Sequence, residues 1–273
     1  MESARGLPVS GRFSLGPADR VRPARYEHDL NRRLQSTTAR QGDPVSPEPG
    51  TPDRAGRLAP TGAPADRLTT LWEAVVAKDP QHSDRYVRRF ETMREQGADL
   101  DGEARLIDAM LSRHSLVLDA GCGPGRIGGE LSRRGHQVVG VDVDPVLIEA
   151  ARRDHPAVTW LHGDFAHLDV LGTALRPAGS AGFDAIVCAG NVMTFLAPGT
   201  HRSVLSGFRA HLAPQGRAVV GFGTGRGYDP EQFFDDAETA GFATVQRFST
   251  WDLRPYRRDS DFLVAILSTA GER

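Results

Sequence analysis

Cysteine is scarce: the 273-residue chain holds two, Cys122 and Cys188, and they do not form a CxxC pair. A disulfide scaffold is not expected, a reducing cytoplasm is the simplest setting, and both thiols read as small buried residues. No apolar run approaches the roughly 18 residues of a membrane helix. The N-terminus shows no apolar segment of a secretory signal, so no membrane partner is expected. A net charge of −2 gives the whole molecule no field that would draw in nucleic acid. Lysine is nearly absent, with Lys78 alone among 33 basic residues, which reads as coding bias. His136, His155, His162 and His167 are scattered along the chain, so no metal site is expected. Aromatics are missing from residues 1–66 except for Phe13 and Tyr26, while half of the 18 prolines lie there. Such a segment cannot bury enough apolar surface to offset chain entropy, and a disordered Pro/Arg-rich extension is expected. The alternative is a partner-binding arm built on Arg20, Arg22, Arg25, Arg32 and Arg33, diluted by Asp19, Glu27 and Asp29.

What is present is periodic. A hydrophobic content of 39% supports one sizeable core. "LTTLWEAVVAKD" puts Leu68, Leu71, Trp72, Val75 and Val76 on one helical face. "SDRYVRRFETMREQG" offers Ser83 as an N-cap and a stripe of Tyr86, Phe90 and Met93. "GEARLIDAMLSRH" repeats the pattern with Leu106, Ile107, Met110 and Leu111. These three helices, over 67–114, are expected to form a lid on a catalytic domain at 115–273. From there the period switches. Buried strands are expected at 117–118, 137–141, 158–161, 183–188 and 218–222. Helices are expected over about 126–134, 145–153, 200–212 and 230–240, the second started by Pro145. Continuously apolar strands alternating with helices imply a parallel sheet covered on both faces. Residues 243–251 and 262–267 have no helix between them and read as a closing antiparallel hairpin.

The chemistry centres on "LVLDAGCGPGR", residues 116–126. A strand, an acid at Asp119 and glycines at 121, 123 and 125 make a turn where a ligand can touch main chain. "GPGRIG" also fits the dinucleotide pattern GxGxxG, a weak signal by itself. An acid beside the loop would repel a pyrophosphate and suits a cation. Asp142 ends the second strand, 17 residues beyond Gly125, where a carboxylate can accept from ribose hydroxyls. Asp144 reads as a helix cap.

With the acid followed by GxGxG, the sequence resembles the class I S-adenosylmethionine-dependent methyltransferases over residues 100–270. The resemblance implies an α/β fold: a seven-stranded, mostly parallel Rossmann-like sheet with helices on both faces and a C-terminal antiparallel hairpin. It implies S-adenosyl-L-methionine as cofactor. Asp119, Gly121, Cys122, Gly123 and Gly125 would hold its methionyl part, and Arg126 its carboxylate. Val143 would pack on adenine, Asp164 would accept from the adenine amino group, and Phe165 would be its apolar neighbour. "CAGN" after the fourth strand resembles the motif of small-molecule enzymes such as the glycine N-methyltransferase group, which makes Ala189, Gly190 and Asn191 pocket residues. Tyr86 and Arg105 are the picks for cofactor contacts from the lid.

Methyl transfer from a sulfonium needs position and desolvation more than any one catalytic group. Asn191 and Tyr228 are the catalytic candidates, and His201, Asp229, Asp252 and Tyr256 are other polar groups near the expected pocket. Arg226, Arg254 and Arg257 could grip an acidic acceptor. The patterns of DNA-methylating enzymes, [DNS]PPY or a Cys-Pro, do not follow the fourth strand. The expectation is N- or O-methylation of a small molecule by a monomer or homodimer, with neither DNA nor RNA as partner. A non-catalytic cofactor-binding regulator of the same fold and an NAD-dependent oxidoreductase are the alternatives.

Overall fold

The computed structural model describes residues 67–168 and 179–269. The expected extension over 1–66, with its arginine cluster, lies outside them.

Among the described residues three helices come first: α1 (Leu71–Lys78), α2 (His82–Glu95) and α3 (Gly102–Met110). Helix α1 starts in a capping box, with Thr70 and Glu73 satisfying each other's main-chain N–H groups. Leu68 therefore precedes the helix, and it is exposed. Ser83 is not the cap of α2. Gln81 holds that place without a side-chain bond, and Ser83 is buried, donating its hydroxyl to Asp144. The cap is replaced by a tie to the sheet domain.

The strands are β1 (Leu116–Ala120), β2 (Gln137–Asp142), β3 (Thr159–His162), β4 (Phe183–Cys188), β5 (Leu212–Gly223), β6 (Phe242–Phe248) and β7 (Phe262–Thr269). Helices α4 (Arg126–Arg133), α5 (Pro145–Asp154), α6 (His201–His211) and α7 (Pro230–Thr239) connect them, with a 3₁₀ turn at Val192–Phe195. The sheet order is β3-β2-β1-β4-β5-β7-β6. Strands β1 to β5 run parallel, and β7 is antiparallel to both β5 and β6.

Side-chain alternation along each strand divides the interior into two cores. Leu118, Val139, Ile186 and Val220 face one layer with Phe208 of α6 and Phe233 of α7. Val117, Val138, Val187 and Val219 face the other, with Ile107 of α3, Leu131 of α4 and Ile148 of α5. Both faces are thus sealed, as the apolar strands require. Strand β5 is longer than its apolar run implies. Its first part, Leu212 to Arg217, still pairs with β4 through an irregular register beginning at Phe183. The chain leaves β1 towards β2 on one side and, later, β4 on the other. That reversal opens a crevice at the carboxyl ends of β1 and β4.

Candidate active site

A cavity of about 810 Å³ opens at this switch point. One wall is the sheet edge: Gly121, Gly123, Asp142, Val143, Asp164 and Phe165, continued by Ala189, Gly190 and Asn191 after β4. The opposite wall is α1 and α2, which present Trp72, Lys78, His82, Arg85, Tyr86 and Arg89. Phe195 and Arg226 close the side.

The three alternate glycines have three separate causes. All have positive φ: +76° at Gly121, +53° at Gly123 and +81° at Gly125. A Cβ on Gly121 would lie 2.4 Å from Val192, and one on Gly125 would lie 2.9 Å from the Trp160 ring. Those two are demanded by packing. Gly123 is the one whose Cβ position has only Tyr86 nearby, at 3.8 Å, so its bare main chain faces the cavity.

Two buried carboxylates hold the loop. The Gly128 N–H donates to Asp119 Oδ2 at 2.8 Å, pinning the first turn of α4. The Gly123 N–H donates to Asp142 Oδ2 at 2.8 Å, and the Asp144 N–H to Asp142 Oδ1 at 2.9 Å. Burial pushes the Asp119 carboxyl up to about 7 and Asp142 up to about 6, against the pull of those N–H donors. A cation in the crevice would restore their charged forms. Asp142 lines the cavity and keeps lone pairs for hydroxyl donors. Asp119 does not line it: it is 1% exposed, beneath the loop.

Asp144 caps α5 by accepting from the Val146 N–H at 2.8 Å, and it does more. Its other oxygen accepts from Trp72 Nε1 at 2.7 Å and from the Ser83 hydroxyl. A chain of polar contacts thus runs from the glycine loop through Asp142 and Asp144 to α1 and α2. Asp164 Oδ1 accepts from the Ala166 N–H at 2.9 Å, while Oδ2 receives Arg67 at 3.3 Å.

The structure brings Gly121, Gly123, Asp142, Val143, Asp164, Phe165, Ala189, Gly190, Asn191 and Tyr86 to one cavity. It places the remaining expected contacts elsewhere. Cys122 and Gly125 pack against Trp160 and its neighbours, and burial raises both cysteine thiols well above their usual range. Arg126 turns away from the crevice onto Glu103 and the Leu100 carbonyl, over the Phe90 ring at 5.5 Å. Arg105 is held at the surface by both oxygens of Asp99, at 2.8 and 2.7 Å. Each arginine has an acid closer in the fold than the cavity.

Of the two catalytic candidates, Asn191 has φ +69° and Oδ1 accepting from the Gly223 N–H at 2.7 Å, which ties the ends of β4 and β5. Tyr228 is buried. Its hydroxyl donates to Asp236 at 3.0 Å, and its ring stacks on His201 at 3.9 Å. Burial and Asp236 raise its phenol above the usual range, so it is no base. His201 and Tyr228 line a neighbouring cleft that shares Thr194, Leu196 and Arg226 with the main cavity. Asp229 caps α7, while Asp252, Arg254 and Arg257 are exposed.

The sequence reading missed His82, Arg85 and Arg89. With Tyr86 they fall at i, i+3, i+4 and i+7 on α2, a polar stripe at helical spacing that could have flagged the cavity face. Burial, then the neighbouring Arg85, holds His82 below its usual pKa, which leaves a neutral imidazole on the cavity wall at pH 7. Among the described residues no group of three or more His, Cys, Asp or Glu could hold a metal ion, and no helix is long and apolar enough to cross a membrane.

A doubly covered parallel sheet with an antiparallel last strand, a glycine loop over buried acids and a cavity at the switch point defines a class I methyltransferase architecture. Known proteins agree. A family model described as "Methyltransferase domain" matches residues 117–216. The crystal structure of a TehB-like SAM-dependent methyltransferase from Corynebacterium glutamicum is 43% identical, with TM-score 0.63 over 70% of this chain and 100% of that one. An uncharacterized methyltransferase of Mycobacterium tuberculosis is 44% identical over 85 residues, 30% of this chain and 39% of that protein. The magnesium-protoporphyrin O-methyltransferase of Rhodobacter capsulatus is 36% identical over 98 residues, 36% and 42% of the two chains. The match thus spans less than half the length of these curated relatives. The chain belongs to the S-adenosylmethionine-dependent methyltransferases.

Proposed function

We propose that this protein methylates a nitrogen or oxygen of a small-molecule acceptor, with S-adenosylmethionine as donor. The observation that carries the reading is the cavity itself, where bare main chain at Gly123 and the buried Asp142 face an aromatic and basic wall. The residues fit the cofactor. Asp142 offers acceptor lone pairs to sugar hydroxyls, Val143 and Phe165 offer apolar surface to adenine, and Asp164 offers an acceptor to its amino group. Gly123 and Gly190 leave room for the amino-acid end, with Tyr86 above the loop. When bound, S-adenosylmethionine supplies an activated methyl group on a sulfonium.

The chain supplies the rest. Trp72, Tyr86 and Phe195 line the cavity with aromatic surface that would displace water around a bound cofactor, which would strengthen the interactions there. Asn191 fixes the spacing of the β4 and β5 ends, and so the floor of the acceptor side. Where the acceptor carries an O–H or N–H, an imidazole nitrogen of His82 takes the proton. A small-molecule acceptor is supported by the size of the cavity, which lies between the sheet edge and two helices.

Calorimetry with S-adenosylmethionine and with NAD tests the cofactor. Labelled-methyl transfer into a metabolite extract, with Asp142→Ala as control, tests catalysis. Heat with NAD alone defeats the reading. Tight S-adenosylmethionine binding with no labelled product defeats the enzyme and leaves a cofactor-binding regulator.

A further inference from the structure

A second cleft of about 520 Å³ opens beside the main cavity, inside the size range of small-molecule sites. The two are joined, since Thr194, Leu196 and Arg226 line both. The junction lies just past Asn191 and the end of β4. None of the residues proposed for the cofactor reaches the second cleft. Asp142, Val143, Asp164, Phe165, Gly123 and Gly190 line the main cavity alone. With a cofactor in place, the second cleft would therefore stay open to the acceptor.

The charged groups of the second cleft are matched within the fold. Arg202 donates to Asp236 Oδ1 at 3.0 and 3.2 Å, and the Tyr228 hydroxyl donates to Oδ2 at 3.0 Å. Arg226 is likewise engaged within the chain. An ionised acceptor group would gain little from pairs already made, and entering the cleft would cost it water.

Two neutral groups keep bonding capacity. His201 Nε2 lies 3.0 Å from the Met193 carbonyl, which only accepts, so Nε2 carries the proton. Burial holds His201 below its usual pKa, so its ring is neutral at pH 7 and Nδ1 keeps its lone pair. That nitrogen has no hydrogen-bond partner among the described residues, and it is not buried. Stacking on Tyr228 at 3.9 Å fixes the ring's orientation. Gln232, exposed on α7, adds a side-chain amide without a partner among the described residues. Leu71, Leu196 and Pro198 add apolar surface.

We infer that the acceptor has two parts: a reacting end beside the cofactor, and an uncharged arm of hydroxyl or amide groups in the second cleft, held by His201 Nδ1 and Gln232. This rests on the methyltransferase reading above and goes further by fixing the acceptor's length and the chemistry of its far end. Nδ1 accepts from an O–H or N–H of the arm, and the Gln232 amide answers a donor or an acceptor. Tyr228 and Asp236 hold the imidazole in place from behind.

The test starts with methyl-labelled S-adenosylmethionine and a metabolite extract, the labelled product being identified by mass spectrometry. The expected product carries the label at one end and an uncharged, hydroxyl- or amide-bearing arm at the other. The purified acceptor is then assayed with His201→Phe, which keeps a stacking ring, and with Gln232→Leu, at an exposed position. Each should raise KM by about tenfold, the order of a lost hydrogen bond, with kcat and S-adenosylmethionine affinity within about twofold. A compact product without such an arm, an arm that ends in a charged group, or an unchanged KM in both variants overturns the inference. Should His201→Phe fail to fold, Gln232→Leu decides alone. S-adenosylmethionine that binds without giving labelled product, or does not bind, instead defeats the methyltransferase reading itself, so the two failures are told apart.

Discussion

The two walls of the cavity are built by opposite means. The sheet edge is main chain and short acids, buried and bonded from beneath: Asp119 is 1% exposed, Asp142 7%. The helical wall is long side chains on helices that bury little, and α1 has no buried residue at all. It is joined to the sheet domain by polar ties, Asp144 to Trp72 and Ser83, Arg153 to Glu91 and Arg67 to Asp164, and by one small apolar cluster of Val87 with Leu147 and Ala150. The first wall is preorganised and suits a constant cofactor. The second has the smaller buried contact, which suits a wall that under the proposed function would admit an acceptor and release a product.

Breaking the sheet wall should have the largest effect. Asp142→Ala strands the Gly123 and Asp144 N–H groups and removes the acceptor for hydroxyls. Cofactor affinity should fall by about 3 kcal/mol, roughly a hundredfold, by calorimetry. Unchanged affinity in a folded variant would remove Asp142 from the site. Asp119→Ala should behave differently, because that carboxylate supports the loop from below. It should lower thermal stability by about 2 kcal/mol through the unsatisfied Gly128 N–H, with a smaller change in affinity.

Asp119 also gives the sheet wall a pH signature. Its carboxyl titrates near 7 in the fold against 3.8 as the ordinary value. A raised carboxyl favours the folded state below the lower value, and that contribution is lost as pH rises towards the higher one. Asp119→Asn keeps an acceptor for Gly128 and cannot ionise. Relative to wild type, it should therefore gain stability between pH 4 and 7, by up to about 1.4 kcal/mol per pH unit, and then level off. The half-buried His82, His155 and His201, held below their usual pKa by burial, tilt the absolute curve the other way, so the difference between the two proteins is the quantity to measure by denaturant titration. A flat difference would show that Asp119 ionises normally.

The same contrast explains what could be read from sequence. The sheet wall was legible because its cause is local. A strand, an acid and glycines lie within ten residues, and at Gly121 and Gly125 a positive φ is joined by close neighbours, Val192 at the first and Trp160 with Ala151 at the second. The identity of those neighbours was not legible, so all three glycines looked like cofactor contacts. The helical wall depends on which way α1 and α2 dock. That is set by Asp144, taken from sequence as a cap, and by Ser83, read as a cap where none forms. Arg105 and Arg126 were misplaced for a related reason: each pairs with an acid close by in the fold, Arg105 with the exposed Asp99 and Arg126 with the buried Glu103, and spacing does not reveal that acid.

The tie at Asp144 sharpens the comparison with a moderate effect. Asp144→Ala removes the cap of α5 and the shared partner of Trp72 and Ser83. Stability should fall by about 1 kcal/mol, the usual size for a lost cap. Limited proteolysis should then cut the helices over 71–110 before the sheet domain. Equal protection of both regions would show that α1 and α2 are held by packing instead.

The smallest effect is expected where the walls meet at Asp164. Arg67 bonds Asp164 and also pairs with Glu73, the capping residue of α1. If Asp164 accepts from adenine, Arg67 competes for the same carboxylate. Arg67→Ala should then raise cofactor affinity by up to about fourfold, the scale of a long, partly buried ion pair of under 1 kcal/mol. A fall in affinity would carry the opposite meaning: Arg67 would be part of the binding surface, with the cofactor drawing α1 down through Glu73. The sign of that change decides whether the helical wall opens or closes when the sheet wall is filled.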